Sequence, residues 1–210
     1  MSTQSENSWL KFLNPESLRA NLITASLFIT SYETLKDSVI DQLRDFFVHG
    51  WDESGPIVGE GYKTKVLALD MKQNPLRASV AWLKASKVID DADEKLITEL
   101  TLHRNEVAHQ LPKFIAQAGE EIQVTRLGQI LDLVTKVDRW WIMNVELAIQ
   151  DEIEPDKVDE SRVISGRMMF LQLLYGIATG TEYTELHKEF VKLSQTGTSA
   201  QRQTDNPNGS

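Results

Sequence analysis

Cysteine is absent from this 210-residue chain. Disulfides, thiolate-bound zinc and thiol nucleophiles are therefore excluded. The absence fits a reducing cytoplasm, and the chain is read as cytoplasmic. Positive charge is also in short supply. Twenty-two Lys and Arg face thirty-one Asp and Glu, for a formal charge of -9. Such a surface repels phosphate backbones, so nucleic acid can be engaged only at a local site. Long apolar runs are missing as well. The most apolar stretch, Met168 to Leu174, is far shorter than the ~20 residues that span a bilayer, and Arg167 and Gln172 interrupt it. Met1 to Asn7 is polar, without a basic start followed by an apolar core, so neither a signal peptide nor a membrane segment is expected. Histidines number four and are dispersed. A metal site built from the protein is not expected, nor is a cofactor. The phosphate-binding glycine loops, the H-E-x-x-H pair and the G-x-S-x-G elbow do not occur.

What is present is helical periodicity. The hydrophobic fraction is 41%, with five Trp and seven Phe, enough for a substantial core. Asn14-Pro15-Glu16 reads as a helix start, with a capping side chain, proline at the first turn and an acid beside it. Leu18, Leu22, Ala25, Ile29, Tyr32, Val39, Leu43 and Phe46 then recur mostly at three- and four-residue steps, predicting one helix over roughly 15–48. His49 to Gly61, with four glycines and Pro56, predicts a loop. Tyr62 to Met71 suits a strand or a short helix equally. Asn74-Pro75 restarts a helix. Asp91 as cap with Glu94 three residues on predicts a capping box for the next helix, and Pro112 predicts that this helix ends or kinks at Leu111. Ile122 to Ile149 predicts another long helix, with Leu127, Ile130, Leu131, Val134, Val137, Trp141, Val145 and Ala148 inward. Val163 to Thr179 predicts a further helix stopped by Gly180, and Glu182 to Leu193 a short last one. The expected fold is all-α, an up-and-down helical bundle with additional C-terminal helices. Its parts are a disordered N-terminus over 1–10, a bundle over 11–150, the added helices over 151–193, opening with the acidic linker Asp151 to Glu160, and a disordered tail over 194–210.

The chemically pointed segment is Arg104-Asn105-Glu106-Val107-Ala108-His109. The apolar seam of its helix runs Ile97, Leu100, position 104, Val107, Leu111, and position 104 is an arginine. A guanidinium in an apolar seam costs several kcal/mol unless it is paired or faces a wet cleft. Asn105 and His109 are four apart and share a face, about 100° round from Arg104. Three complementary side chains can thus meet near one spot. Arg holds phosphate by its planar fork, His exchanges protons near neutrality, and Asn can orient either.

Arg104-Asn105-x-x-x-His109 resembles the R-N-x-x-x-H signature of HEPN domains, helical-bundle proteins of prokaryotic toxin–antitoxin, antiviral and CRISPR systems. The resemblance covers roughly 15–150. It implies a HEPN-like bundle of four or five helices and a homodimer whose two motifs line one cleft. It also implies metal-independent RNA cleavage and a neutralising antitoxin or defence-system partner. By this likeness His109 is general base or acid at the ribose 2′-hydroxyl, Arg104 binds the scissile phosphate, and Asn105 orients the site. The implied products are a 2′,3′-cyclic phosphate and a 5′-hydroxyl. The alternative is a non-catalytic HEPN-like binding or scaffold module.

Each residue also has a structural reading. Arg104 can pair with Glu99, Glu106 or a carboxylate of another helix, and His109 can cap a helix C-terminus. Arg44-Asp45-Phe46-Phe47-Val48-His49 has the same Arg-to-His spacing. It stands at a helix end, lacks the Asn, and holds two Phe that look like core. Asp90, Asp91, Asp93 and Glu94 read as helix-start chemistry rather than a metal site. Of Trp140 and Trp141, at least one reads as core. His103 reads as surface or core-edge and His187 as surface.

Overall fold

A computed structural model describes residues 3–149 and 158–180. The element order is α1 (Thr3–Leu13), α2 (Pro15–Phe46), β1 (Val48–Asp52), β2 (Gly55–Val58), α3 (Glu60–Lys65), α4 (Pro75–Ala85), α5 (Asp91–His109), α6 (Leu111–Ala116), α7 (Thr125–Trp141) and α8 (Gly166–Thr179). Short 3-10 turns cover Leu67–Leu69, Leu147–Ile149 and Glu160–Arg162. The fold is overwhelmingly helical, as composition and periodicity require. No helix among the described residues is long and apolar enough to cross a membrane.

α2 is the central element, and α4, α5, α7 and α8 all pack against it. Asn14 starts it by accepting from the backbone N–H of Glu16 and Ser17 at 3.0 and 3.2 Å. Its buried apolar stripe is Ala25, Phe28, Tyr32, Leu35, Val39 and Leu43, at three- and four-residue steps. Leu22 and Phe46 of the expected stripe are instead exposed, because the inward face turns through Phe28 and Leu35. From α7 come Leu127, Ile130, Val134, Val137 and Trp141. Leu83 of α4, Ile97, Leu100 and Val107 of α5, and Met168 and Leu171 of α8 complete the core. Each such side chain contributes roughly 1.5–3 kcal/mol by leaving water. Trp141 stacks on Trp82 at 6.0 Å and meets Trp140 edge-on at 5.3 Å. The tryptophan pair is core and core edge.

Several expectations are corrected. Residues 3–10 are not disordered, since they belong to α1. Lys11 Nζ donates to the carbonyls of Phe114, Gln117 and Glu120 at 3.1, 3.0 and 2.6 Å. The Ala118 N–H donates to Ser8 Oγ at 3.1 Å. The ties are long-range and leave no local trace in a polar sequence. The glycine-rich segment is not a loop but an antiparallel hairpin, pairing Val48 with Val58 and Asp52 with Gly55. Asp52 Oδ1 accepts from the N–H and hydroxyl of Ser54 at 2.7 and 2.6 Å, and Gly55 closes the turn at φ +119°. Tyr62 to Met71 holds α3 and a 3-10 turn, with no strand. α7 stops as an α-helix at Trp141 and passes into a π-helical turn over Ile142–Glu146, so Ala148 is exposed. The helix expected from 163 starts at Gly166, capped by Ser165. The acidic linker up to 157, the helix expected over 182–193, His187 and the tail over 194–210 lie outside the described residues.

α8 is locked to the bundle by a buried charge. Asp138 of α7 is 0% exposed. It accepts from Ser38 Oγ of α2 at 2.7 Å, from the Ser165 hydroxyl, and from Arg167 Nε at 3.1 Å. Arg167 also donates to Gln42 Oε1 of α2. A buried carboxylate is tolerated only with such satisfaction.

Candidate functional site

The helix that carries the motif is fixed at its start. Asp90 Oδ1 accepts from the N–H of Ala92 and Asp93 at 2.9 and 3.0 Å, and Asp93 returns a bond from Asp90 N–H at 3.0 Å. The capping box therefore lies one residue upstream of the expected Asp91 and Glu94. Those two carboxylates instead hold Lys84 of α4, each at 2.6 Å, and raise its pKa. Lys136 of α7 bonds Asp93. The acidic cluster thus caps α5 and ties it to two neighbours. α5 ends at His109, and Pro112 sits in the first turn of α6 instead of terminating α5 at Leu111.

Within the seam, Ile97, Leu100 and Val107 are buried, while the Arg104 side chain is 31% exposed. Its carbon stem occupies the apolar slot and its fork reaches out. Nη2 donates to Glu33 Oε1 of α2, and Nη1 approaches Asn105 Oδ1 at 3.4 Å. The guanidinium carbon stands 5.9 Å from the centre of the Tyr32 ring. Tyr32 is itself pinned by a 2.9 Å hydroxyl contact with Thr101. The carboxylate partner is on another helix, not Glu99 or Glu106. Glu33 Oε2 accepts from Lys36 Nζ at 3.1 Å. Burial pushes the Glu33 pKa up, but the bonds from Lys36 and Arg104 outweigh it and hold it below the ordinary carboxylate value.

Arg104 and Asn105 line a groove of about 620 Å³ between α2, α4 and α5. That volume is within the usual range for small-ligand sites. Across it Arg77 holds Asp70 through two bonds, Nε to Oδ1 at 2.8 Å and Nη2 to Oδ2 at 3.0 Å. These bonds drive the Asp70 pKa far below the carboxylate range. The groove-lining charges are Lys36, Arg77 and Arg104 against Glu33, Asp70 and Glu94, and Glu94 is drawn toward Lys84.

His109 is not part of this groove. It is exposed in the last turn of α5 and has no hydrogen bond or ion pair among the described residues. The three motif side chains therefore do not converge within one chain. Arg104 and Asn105 share a groove wall, and His109 stands about 140° round and about 7.5 Å along the helix from Arg104. The second Arg–His spacing is broken by the fold. Arg44 ends α2, paired with Asp41 at 2.9 Å, and His49 lies beyond the helix at a register slip in β1. Phe47 packs on the core edge, whereas Phe46 is 54% exposed.

The chain matches no family model, no curated protein and no solved structure.

His103 lies on the opposite side of α5, with its ring edge-on to Phe28 at 5.0 Å and to Phe114 at 5.8 Å. Nε2 is buried without a partner, and Nδ1 is 3.8 Å from Glu106. Burial lowers its pKa from 6.5, the Arg126 charge lowers it further, and Glu106 opposes both. Folding thus favours neutral His103. As pH falls through the unfolded value near 6.5 toward the lower folded value, the unfolded chain binds more protons and stability declines. Above that window the contribution is constant. Urea unfolding at pH 7.5 and 5.5 should show wild type losing more stability on acidification than His103→Gln. An equal loss in both proteins would rule out His103 as the source.

Proposed function

We propose that this chain is a metal-independent endoribonuclease of the HEPN type, acting as a homodimer on RNA in bacterial defence or as a toxin. The observation that carries this reading is the split motif. Arg104 lines a groove large enough for a nucleotide, while His109 stands at the end of the same helix with no partner among the described residues. A second chain docked along α5 brings one chain's imidazole to the other's guanidinium. In the shared cleft, His109 takes the proton of a ribose 2′-hydroxyl. The oxygen attacks phosphorus, the bond to the 5′ oxygen breaks, and that oxygen takes the proton from the His109 imidazolium and leaves as a 5′-hydroxyl. A 2′,3′-cyclic phosphate remains. Arg104 neutralises the extra charge on the phosphate oxygens in the transition state, and Asn105 orients the fork. An acidic protein of charge -9 captures RNA only at this site, so cleavage weakens as salt rises. A neutralising antitoxin or defence partner would act by covering His109 or the groove.

One observation favours the second reading, a non-catalytic HEPN-like scaffold. The fork of Arg104 already holds Glu33, as a purely structural arginine would. Incubating the purified protein with single-stranded RNA separates the two. Cleavage that survives EDTA and leaves cyclic-phosphate ends is the expected result. A dimer that cuts no RNA with or without divalent ions would leave the scaffold.

A further inference from the structure

Of the five N–H bonds of a guanidinium, Arg104 directs one at Glu33 and one at Asn105, and its Nε is buried without a partner. The two remaining Nη hydrogens have no partner among the described residues. The face of the fork rests on Tyr32, whose ring is fixed by Thr101. The side chain is therefore held by Glu33, Asn105 and Tyr32, and all four residues line the groove. Glu33 supplies the strongest of these restraints from α2, 71 positions away in sequence.

We infer that Glu33 is a positioning residue for Arg104, holding the guanidinium plane so that its free N–H edge meets the scissile phosphate. This rests on the nuclease reading. Glu33 divides its oxygens, one for Arg104 and one for Lys36. Two cations share this one carboxylate, and Asp37 lies close enough to interact with both Lys36 and Glu33. A phosphate entering the groove completes the cluster without displacing Glu33, because the free donors of Arg104 and the remaining donors of Lys36 are not engaged by it. Arg77 is held differently, with Nε and Nη2 both on Asp70, and so does not depend on Glu33.

The test uses the full-length protein and a single-stranded oligoribonucleotide. Glu33→Gln should lower kcat on the order of tenfold to a hundredfold, with KM and melting temperature nearly unchanged. Glu33→Asp should restore part of the rate. A residue that acts through Arg104 adds nothing once the fork is gone, so in an Arg104→Lys background Glu33→Gln should cause no further loss. Unchanged or increased kcat in Glu33→Gln, or a full additive loss on Arg104→Lys, overturns the inference. If wild type cuts no RNA, the nuclease reading fails by itself. The positioning claim then stands or falls on the Arg104 side-chain nitrogens seen by NMR. Rotation about the Nε–Cζ bond should be slow in wild type and fast in Glu33→Gln, and equal rates in both sink it.

Discussion

Replacing His109 with Ala is expected to lower RNA cleavage by ~10²–10⁴-fold, the usual contribution of a positioned general acid or base. Stability should stay within about 0.5 kcal/mol of wild type. The two halves of this expectation come from one fact. His109 is exposed and makes no hydrogen bond or ion pair among the described residues, so its removal orphans nothing. A structural histidine could not show that combination. Rate constants with a defined oligoribonucleotide and a urea unfolding curve check it. A variant that cleaves as fast as wild type ends the proposed chemistry, and one that unfolds early makes His109 a folding residue. Arg104 is less clean as a probe, because its removal also leaves Glu33 with Lys36 as its sole hydrogen-bonded side chain among the described residues.

The largest loss of stability should follow Asp138→Ala. The substitution removes a shared acceptor from Ser38, Ser165 and Arg167 at once. Breaking a buried ion pair from one side costs about 3–5 kcal/mol. Arg167 is 35% exposed and can turn to water, which places the cost near about 3 kcal/mol. For a chain of this size that corresponds to a fall in Tm of about 6–12 °C. The damage should start at α8, whose amides should exchange early while α2 stays protected. Chemical denaturation with hydrogen exchange read helix by helix would show both effects. A loss below about 1 kcal/mol, or exchange spread evenly over the bundle, would mean that the apolar contacts of Met168 and Leu171 hold α8 without the charge.

The helical class was legible because burial has a period. Val134, Val137 and Trp141 fall where the three-and-four spacing puts them. Capping chemistry was legible within a residue, since Asp90–Asp93 and Asp91–Glu94 satisfy the same pattern and only hydrogen-bond geometry chooses between them. The hairpin was hidden because Gly55 and Pro56 are loop residues and strand residues at once. Long-range partners were hidden for a different reason. Glu33 and Lys11 look like ordinary surface charges, and what they bind lies 71 and more than 100 positions away. The argument that singled out Arg104, a charge in an apolar seam, applies equally to Asp138 between Val134, Val137 and Trp141. It marks a place where the fold must supply a partner. It does not say whether that partner is a ligand or another helix.

The half-exposed contact between Arg104 and Glu33 gives ionic strength two places to act. Under the proposed function, added salt would screen RNA from the protein and also loosen the carboxylate's grip on the fork. Both effects would slow the proposed reaction. The slope of log rate against log salt therefore overcounts the phosphates contacted, and a fork that no longer depends on Glu33 yields the shallower, truer number.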